Sequence, residues 1–169
     1  MSLVESAVII LLGVSLFAAA RSPVATGTPP ACLVTKPNGS RPPDERSNPN
    51  YHGNGVLWTT LWDEGKVVFR PGGSGFVLPD GSLSMKFPWW RGVRGKLEIA
   101  GRRLDAPAPP LRARIPEGYV DIGFQAAALI FPTPGCWEVT GQVGRNRLTF
   151  VTLLVKIGKG PTNAALPDN

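Results

Sequence analysis

The sequence has a single histidine, His52, so a His-based triad or a metal cluster would have to be assembled around one imidazole in a Gly/Asn-rich loop. It has only two cysteines, Cys32 and Cys136, and no zinc-type spacing. No Gly-rich loop precedes a helix, which removes the usual nucleotide-phosphate cradle. After residue 20 no apolar stripe of helical period has useful length. Charged residues are also sparse, at 18% against 43% apolar in 169 residues, and this balance describes one domain with a sizeable core.

The one long apolar run, SAVIILLGVSLFAAA at 6 to 20, is short for a bilayer span, which needs roughly 20 residues. It reads as the apolar region of a signal peptide, with Ala18-Ala19-Ala20 as the small-residue cleavage pattern. The preceding MSLVES departs from that pattern, because it carries Glu5 and no Lys or Arg; an uncleaved N-terminal anchor is the alternative. Membrane contact is expected only through such an anchor. Export to the cell envelope or beyond makes a Cys32–Cys136 disulfide the expected state of the two thiols. It would close a loop of about 100 residues, which the chain-entropy account values at about 4 to 5 kcal/mol.

Removing residues 1 to 20 takes away one acid and no base, so the net charge rises from +6 to +7. Eight basic residues fall between Lys86 and Arg114, against only Glu98 and Asp105. Such a field attracts acidic polysaccharide, lipid headgroups or nucleic acid without specifying which, or is simply a solvated face.

Residues 21 to 55 are rich in Pro, Gly, Asn, Ser and Thr and read as an extended segment that the disulfide would pin. Within it Asn38-Gly39-Ser40, formally a glycosylation sequon, reads as a turn. From 56 to 158 short apolar runs alternate with turn signals, as in an all-β sandwich, and 159 to 169 form a tail. VLWTTLW and KVVF flank Asp63-Glu64-Gly65, and FVL and SLSMKF flank Pro79-Asp80-Gly81, so two hairpins are expected there. KLEIAG, LRARI and FQAAALIF are further strands, and WEVTGQV and RLTFVTLLVKI form a closing hairpin through Gly144-Arg145-Asn146. The last strand is apolar on both faces, so its second face should meet a loop, the N-terminal segment or another copy in a homo-oligomer.

A two-residue repeat assigns each side chain of the 82 to 90 run to a face. Leu83, Met85, Phe87 and Trp89 share the core face, while Ser84, Lys86, Pro88 and Trp90 share the other. Pro88 should mark a strand end or edge, because it cannot donate to a ladder. Trp90, with Lys86, Arg91 and Arg94 and with Arg102 and Arg103 nearby in sequence, is the candidate binding surface: indole for stacking, cations for acidic groups. The competing reading has Trp90 cover the end of the sandwich. Trp58 and Trp62 are expected in the core. By the same strand parity, Cys136 points away from the core, so the bridge should staple the N-terminal segment across an outer face.

The phrases NYHGNGVLWTTLW, DGSLSMKFPWWRGV, GRRLDAPAPPLRA, FPTPGCWEVTG and VGRNRLTFV resemble a group of uncharacterised exported bacterial proteins with an immunoglobulin-like β-sandwich. The resemblance covers roughly residues 32 to 157, with FPTPGCWEVTG as its most specific block. It implies an immunoglobulin-like sandwich of about seven to nine antiparallel strands and export, with no assigned activity or catalytic residue.

The expected role is therefore a non-catalytic binding or assembly module without a cofactor or metal. Its expected partner is an anionic polysaccharide or another cell-envelope component, with nothing that specifies nucleic acid. A structural subunit of a homo-oligomer or filament is one alternative. A carboxylate-dependent hydrolase drawing on Asp63, Glu64, Asp105, Glu117, Asp121 and Glu138 is another, provided two acids converge.

Overall fold

The computed structural model describes residues 31–43 and 48–161; the apolar segment at 1 to 20 and the tail beyond 161 lie outside these. Ten strands run through the described chain: β1 (Tyr51–Gly53), β2 (Leu57–Thr60), β3 (Lys66–Phe69), β4 (Phe76–Val77), β5 (Leu83–Arg91), β6 (Glu98–Arg103), β7 (Arg112–Arg114), β8 (Gly123–Phe131), β9 (Gly135–Val143) and β10 (Asn146–Lys156). A front sheet in the order β1-β2-β5-β8-β7, with β4 also on β5, faces a back sheet in the order β3-β10-β9-β6. The domain is an all-β sandwich. Among the described residues no helix is long and apolar enough to cross a membrane.

The core is the sum of the inward faces. On β5, Leu83, Met85, Phe87 and Trp89 are all buried, opposite Phe131, Leu129, Ala127 and Gln125 of β8. Val139, Val143 and Trp137 of β9 and Leu148, Phe150 and Leu154 of β10 meet them from the back sheet. Each large apolar side chain buried this way is worth about 1.5 to 3 kcal/mol, enough to hold the sheets face to face. Phe87 and Phe150 stack across the interior with ring centres 5.7 Å apart.

Turn chemistry is read correctly at two of the three expected hairpins. Gly81 takes φ 82° in the Pro79-Asp80-Gly81 turn, and β4 returns along β5. Gly144 takes φ 57°, and Asn146 already pairs with Val143. The third differs. Glu64 and Gly65 both adopt positive φ in a short 3-10 turn, and the chain crosses from the front sheet to the back sheet instead of folding back on β2. There β3 runs parallel to β10, with Val67 opposite Leu154, so the sandwich is not wholly antiparallel. The crossing is held by Thr152, whose hydroxyl donates to the Gly65 carbonyl at 3.1 Å.

Pro88 sits inside β5, yet at a local edge. β2 pairs with residues 89 to 91 and β4 with 83 and 84, so neither strand needs the N–H that proline lacks.

Cys32 and Cys136 are bridged. Cys136 is buried but faces outward from the back sheet beside Leu153, so the bridge staples the N-terminal segment across an outer face. Thr35 continues the attachment: its N–H donates to the Val151 carbonyl at 2.9 Å and its hydroxyl accepts from the Val151 N–H at 2.8 Å. The second apolar face of β10 thus meets the N-terminal segment. Such a bond is compatible with an oxidising extracellular or periplasmic environment.

Candidate functional site

Trp89 and Trp90 part to opposite faces of β5. Trp89 is fully buried, and Trp90 stands half-buried on the outer face of the front sheet. There it is the centre of a row of aromatics set by strand register, with Trp58 opposite it on β2 and Phe124 on β8. Tyr51 meets the Trp90 ring edge-on at 5.0 Å, Phe124 at 5.3 Å, and Tyr119 lies 5.8 Å beyond Phe124.

The N-terminal segment borders this row. The Trp58 indole lies over Gly53, where a β-carbon would fall 2.0 Å from the ring, and its Nε1 donates to Ser40 Oγ at 3.0 Å. Asn38 sits in the expected turn, accepting from Ser40 N–H and from Gly53 N–H while its amide donates to the Gly53 carbonyl at 2.7 Å. Trp58 is buried as expected, at 6% exposure, but under the N-terminal segment and apart from the cluster between the sheets. Trp62, beyond the end of β2, packs edge-on to Phe87 instead.

An open groove of about 390 Å³ remains along the row, lined by Pro42, Pro43, Trp58, Trp90, Ile122 and Phe124, with Arg91 the one charged residue in its wall. Its rim is apolar and exposed: Val120 is 72% accessible, Ile122 46% and Phe124 43%. Monomeric proteins rarely leave such a contiguous aromatic and aliphatic surface in water without a use for it.

The cations do not assemble around Trp90. Arg91 continues the inward parity of Trp89; it is buried, donating to the Gly95 carbonyl at 2.8 Å and to the Val120 carbonyl. It ties two loops together and does not face solvent. Arg102 and Arg103 lie on β6 in the back sheet, where Arg102 pairs with Glu138 and Arg103 with Asp105 at 2.6 Å. The Arg103 hydrogen bond holds the Asp105 carboxyl below its usual range. Only Arg94 and Lys86 belong to the Trp90 side, and they sit apart. Arg94 is 3.5 Å from Asp121 at the groove end, whereas Lys86 shares a row with Ala128 and Arg114.

The acids are equally dispersed. Glu64, Asp105, Asp121 and Glu138 each pair with a different cation, Asp105 and Glu138 with neighbouring arginines of β6 and the other two elsewhere. His52 is partly buried at the β1 edge, where burial pushes its pKa down, and its Nδ1 has no hydrogen-bond partner among the described residues. Among the described residues no cluster of His, Cys, Asp or Glu could hold a metal ion.

No family model matches the chain, and no curated protein matches it. The site is defined by geometry alone. Phe124, Tyr119 and Ile122 were not singled out as site residues in the sequence; the signal was the loop YVDI, whose apolar residues have no strand to bury them, leading into Phe124 at the outward parity of β8.

Proposed function

We propose that this is an exported, non-catalytic binding module of the cell envelope, which takes the sugar rings of an envelope polysaccharide on Trp90 and Phe124, with the buried Trp58 as the floor beside them. The observation that carries the reading is the exposed groove beside Trp90, bounded by aromatic faces and two prolines. Rigid aromatic faces suit stacking on the C–H face of a pyranose, and they cost little conformational entropy on binding.

The immunoglobulin-like assignment is supported by strand order. β2-β5-β8-β7 against β6-β9-β10 follows the ABED and CFG pattern of those sandwiches. The disulfide supports export, although it lies outside the sandwich rather than between its sheets.

The test is retention of the protein on cell-wall polysaccharide and acidic glycans, compared with a Trp90→Ala/Phe124→Ala double variant. Retention of wild type and loss in the variant is the expected result; equal behaviour removes the groove from function.

A second reading has one specific support. On the outer face of the back sheet Leu33 is 84% exposed, Ile157 51% and Val68 39%, so the N-terminal segment leaves part of that face uncovered. Self-association through it would appear as a molecular mass that rises with protein concentration.

A further inference from the structure

The crossing of the chain between sheets creates a second site. β2 leaves the front sheet after Thr60, touching Pro88 only through the Thr59 hydroxyl, and residues 85 to 87 of β5 have neither β2 nor β4 beside them. Trp62 stands at that gap, edge-on to Phe87 at 6.5 Å. It is a shared wall of two surface cavities, one of about 620 Å³ towards β3 and one of about 420 Å³ towards Pro88.

The polar groups around the indole are those a charged sugar needs. The larger cavity carries Lys66 and Arg70, and the smaller carries Lys86 with Asn48, Asn50 and Thr60. Thr60 Oγ1 is buried without a hydrogen-bond partner among the described residues. Among the described lining residues one carboxylate, Glu64, opposes the cations, and Lys66 holds it at 3.2 Å. The local balance stays positive, because Lys36 also reaches the Glu64 carbonyl at 3.3 Å while Arg70 and Lys86 have no ion-pair partner among the described residues.

We propose that Trp62 is the aromatic platform of a subsite for carboxylated sugars, a uronate-type chain crossing the indole with acidic groups towards Arg70 on one side and Lys86 on the other. This rests on the polysaccharide-binding reading above and gives it a ligand class that the apolar groove at Trp90 cannot select. Stacking on Trp62 supplies ring recognition, the cations supply the preference for acid, and the amides and Thr60 are placed for hydroxyl groups.

The test uses the full chain and three length-matched polymers: polygalacturonate, neutral pullulan, and polyacrylate, which carries carboxylates without sugar rings. Polygalacturonate should bind and change tryptophan fluorescence, with pullulan and polyacrylate each weaker by about fivefold to tenfold. Trp62→Ala should weaken polygalacturonate binding by a similar factor. Because Trp62 also packs on Phe87, a second variant, Arg70→Gln with Lys86→Gln, changes two exposed cations and should erase the preference for polygalacturonate over pullulan. Unchanged binding in both variants overturns the subsite, as does equal binding of polyacrylate and polygalacturonate. If binding is lost only in Trp90→Ala/Phe124→Ala, the subsite is wrong and the polysaccharide reading stands. If wild type binds neither polysaccharide, both fall.

Discussion

The Trp89 indole occupies the space that any side chain at Gly141 would need: a β-carbon there would lie 2.3 Å from the ring. A tryptophan of the front sheet thus rests directly on the backbone of the back sheet. Gly141→Ala should therefore destabilise the fold by about 1 to 3 kcal/mol through overpacking, measured by chemical denaturation. Trp89→Leu in the same chain should recover part of that loss, so the two effects will not add. Additive effects would mean that the ring and the glycine are not in contact.

The disulfide and the Thr35–Val151 pair attach the same N-terminal segment to β10. A Cys32→Ser/Cys136→Ser variant should lose about 4 to 5 kcal/mol of stability, because the bridge closes a separation of 104 residues. Hydrogen exchange at the Thr35 and Val151 amides should accelerate before exchange in β5. Loss of protection in all strands together would show that the staple holds the whole sandwich.

Two groups give separate pH windows. His52 has a pKa lowered by burial from its ordinary 6.5, so the unfolded chain takes up its proton first as pH falls. Its contribution is complete above about 6.5 and declines below it, and His52→Gln should flatten that decline. Asp105, whose carboxyl the Arg103 hydrogen bond holds below 3.8, keeps its contribution above that value and loses it in stronger acid. Stability measured from pH 8 to 2 should show both steps, and Asp105→Asn should shrink only the acid one, to which Glu64 and Asp80, lowered by their bonds to Lys66 and Ser82, also contribute.

Trp90 and Trp89 should respond oppositely to substitution. Trp89→Ala should cost about 3 to 5 kcal/mol, the range for emptying a core aromatic site. Trp90→Ala should cost less, since the ring is only half-buried among Tyr51 and Phe124, and should act mainly on ligand retention. Equal thermal destabilisation by the two would make the outer row purely structural.

Much of this was legible in local patterns. The alternation from Leu83 to Trp90 placed each side chain of β5 on its observed face, and the parity of Cys136 put the bridge outside. The failures came where a distant contact decides. Asp63-Glu64-Gly65 has the same turn chemistry whether the chain returns along β2 or crosses to β10, and only the pairing of Val67 with Leu154 settles it. That crossing separates Trp58 from Trp62, which strict alternation had kept together. Arg91 is different: the two-residue repeat, carried one position past Trp90, already pointed it inward. Charge suggested a surface residue, and the backbone carbonyls of Gly95 and Val120 made an interior one feasible.

That placement gives Arg91 its own signature. Its guanidinium sits under the end of the groove, joining the 92–97 loop to the loop that carries Val120, Ile122 and Phe124. Arg91→Ala leaves two carbonyls without their donor, a loss of about 1 to 3 kcal/mol. Arg91→Lys brings one point charge where a planar fork spanned two acceptors, so it should rescue stability only in part. Arg91 belongs to the groove wall but is only 5% exposed and its guanidinium is taken up by the two carbonyls, so neither change removes a solvent-exposed charge. Polysaccharide binding at low temperature, where both variants stay folded, should therefore fall only as far as the Phe124 loop loosens, with its salt dependence unchanged. A shallower salt dependence in Arg91→Ala would instead place this guanidinium against the ligand and return it to the binding surface.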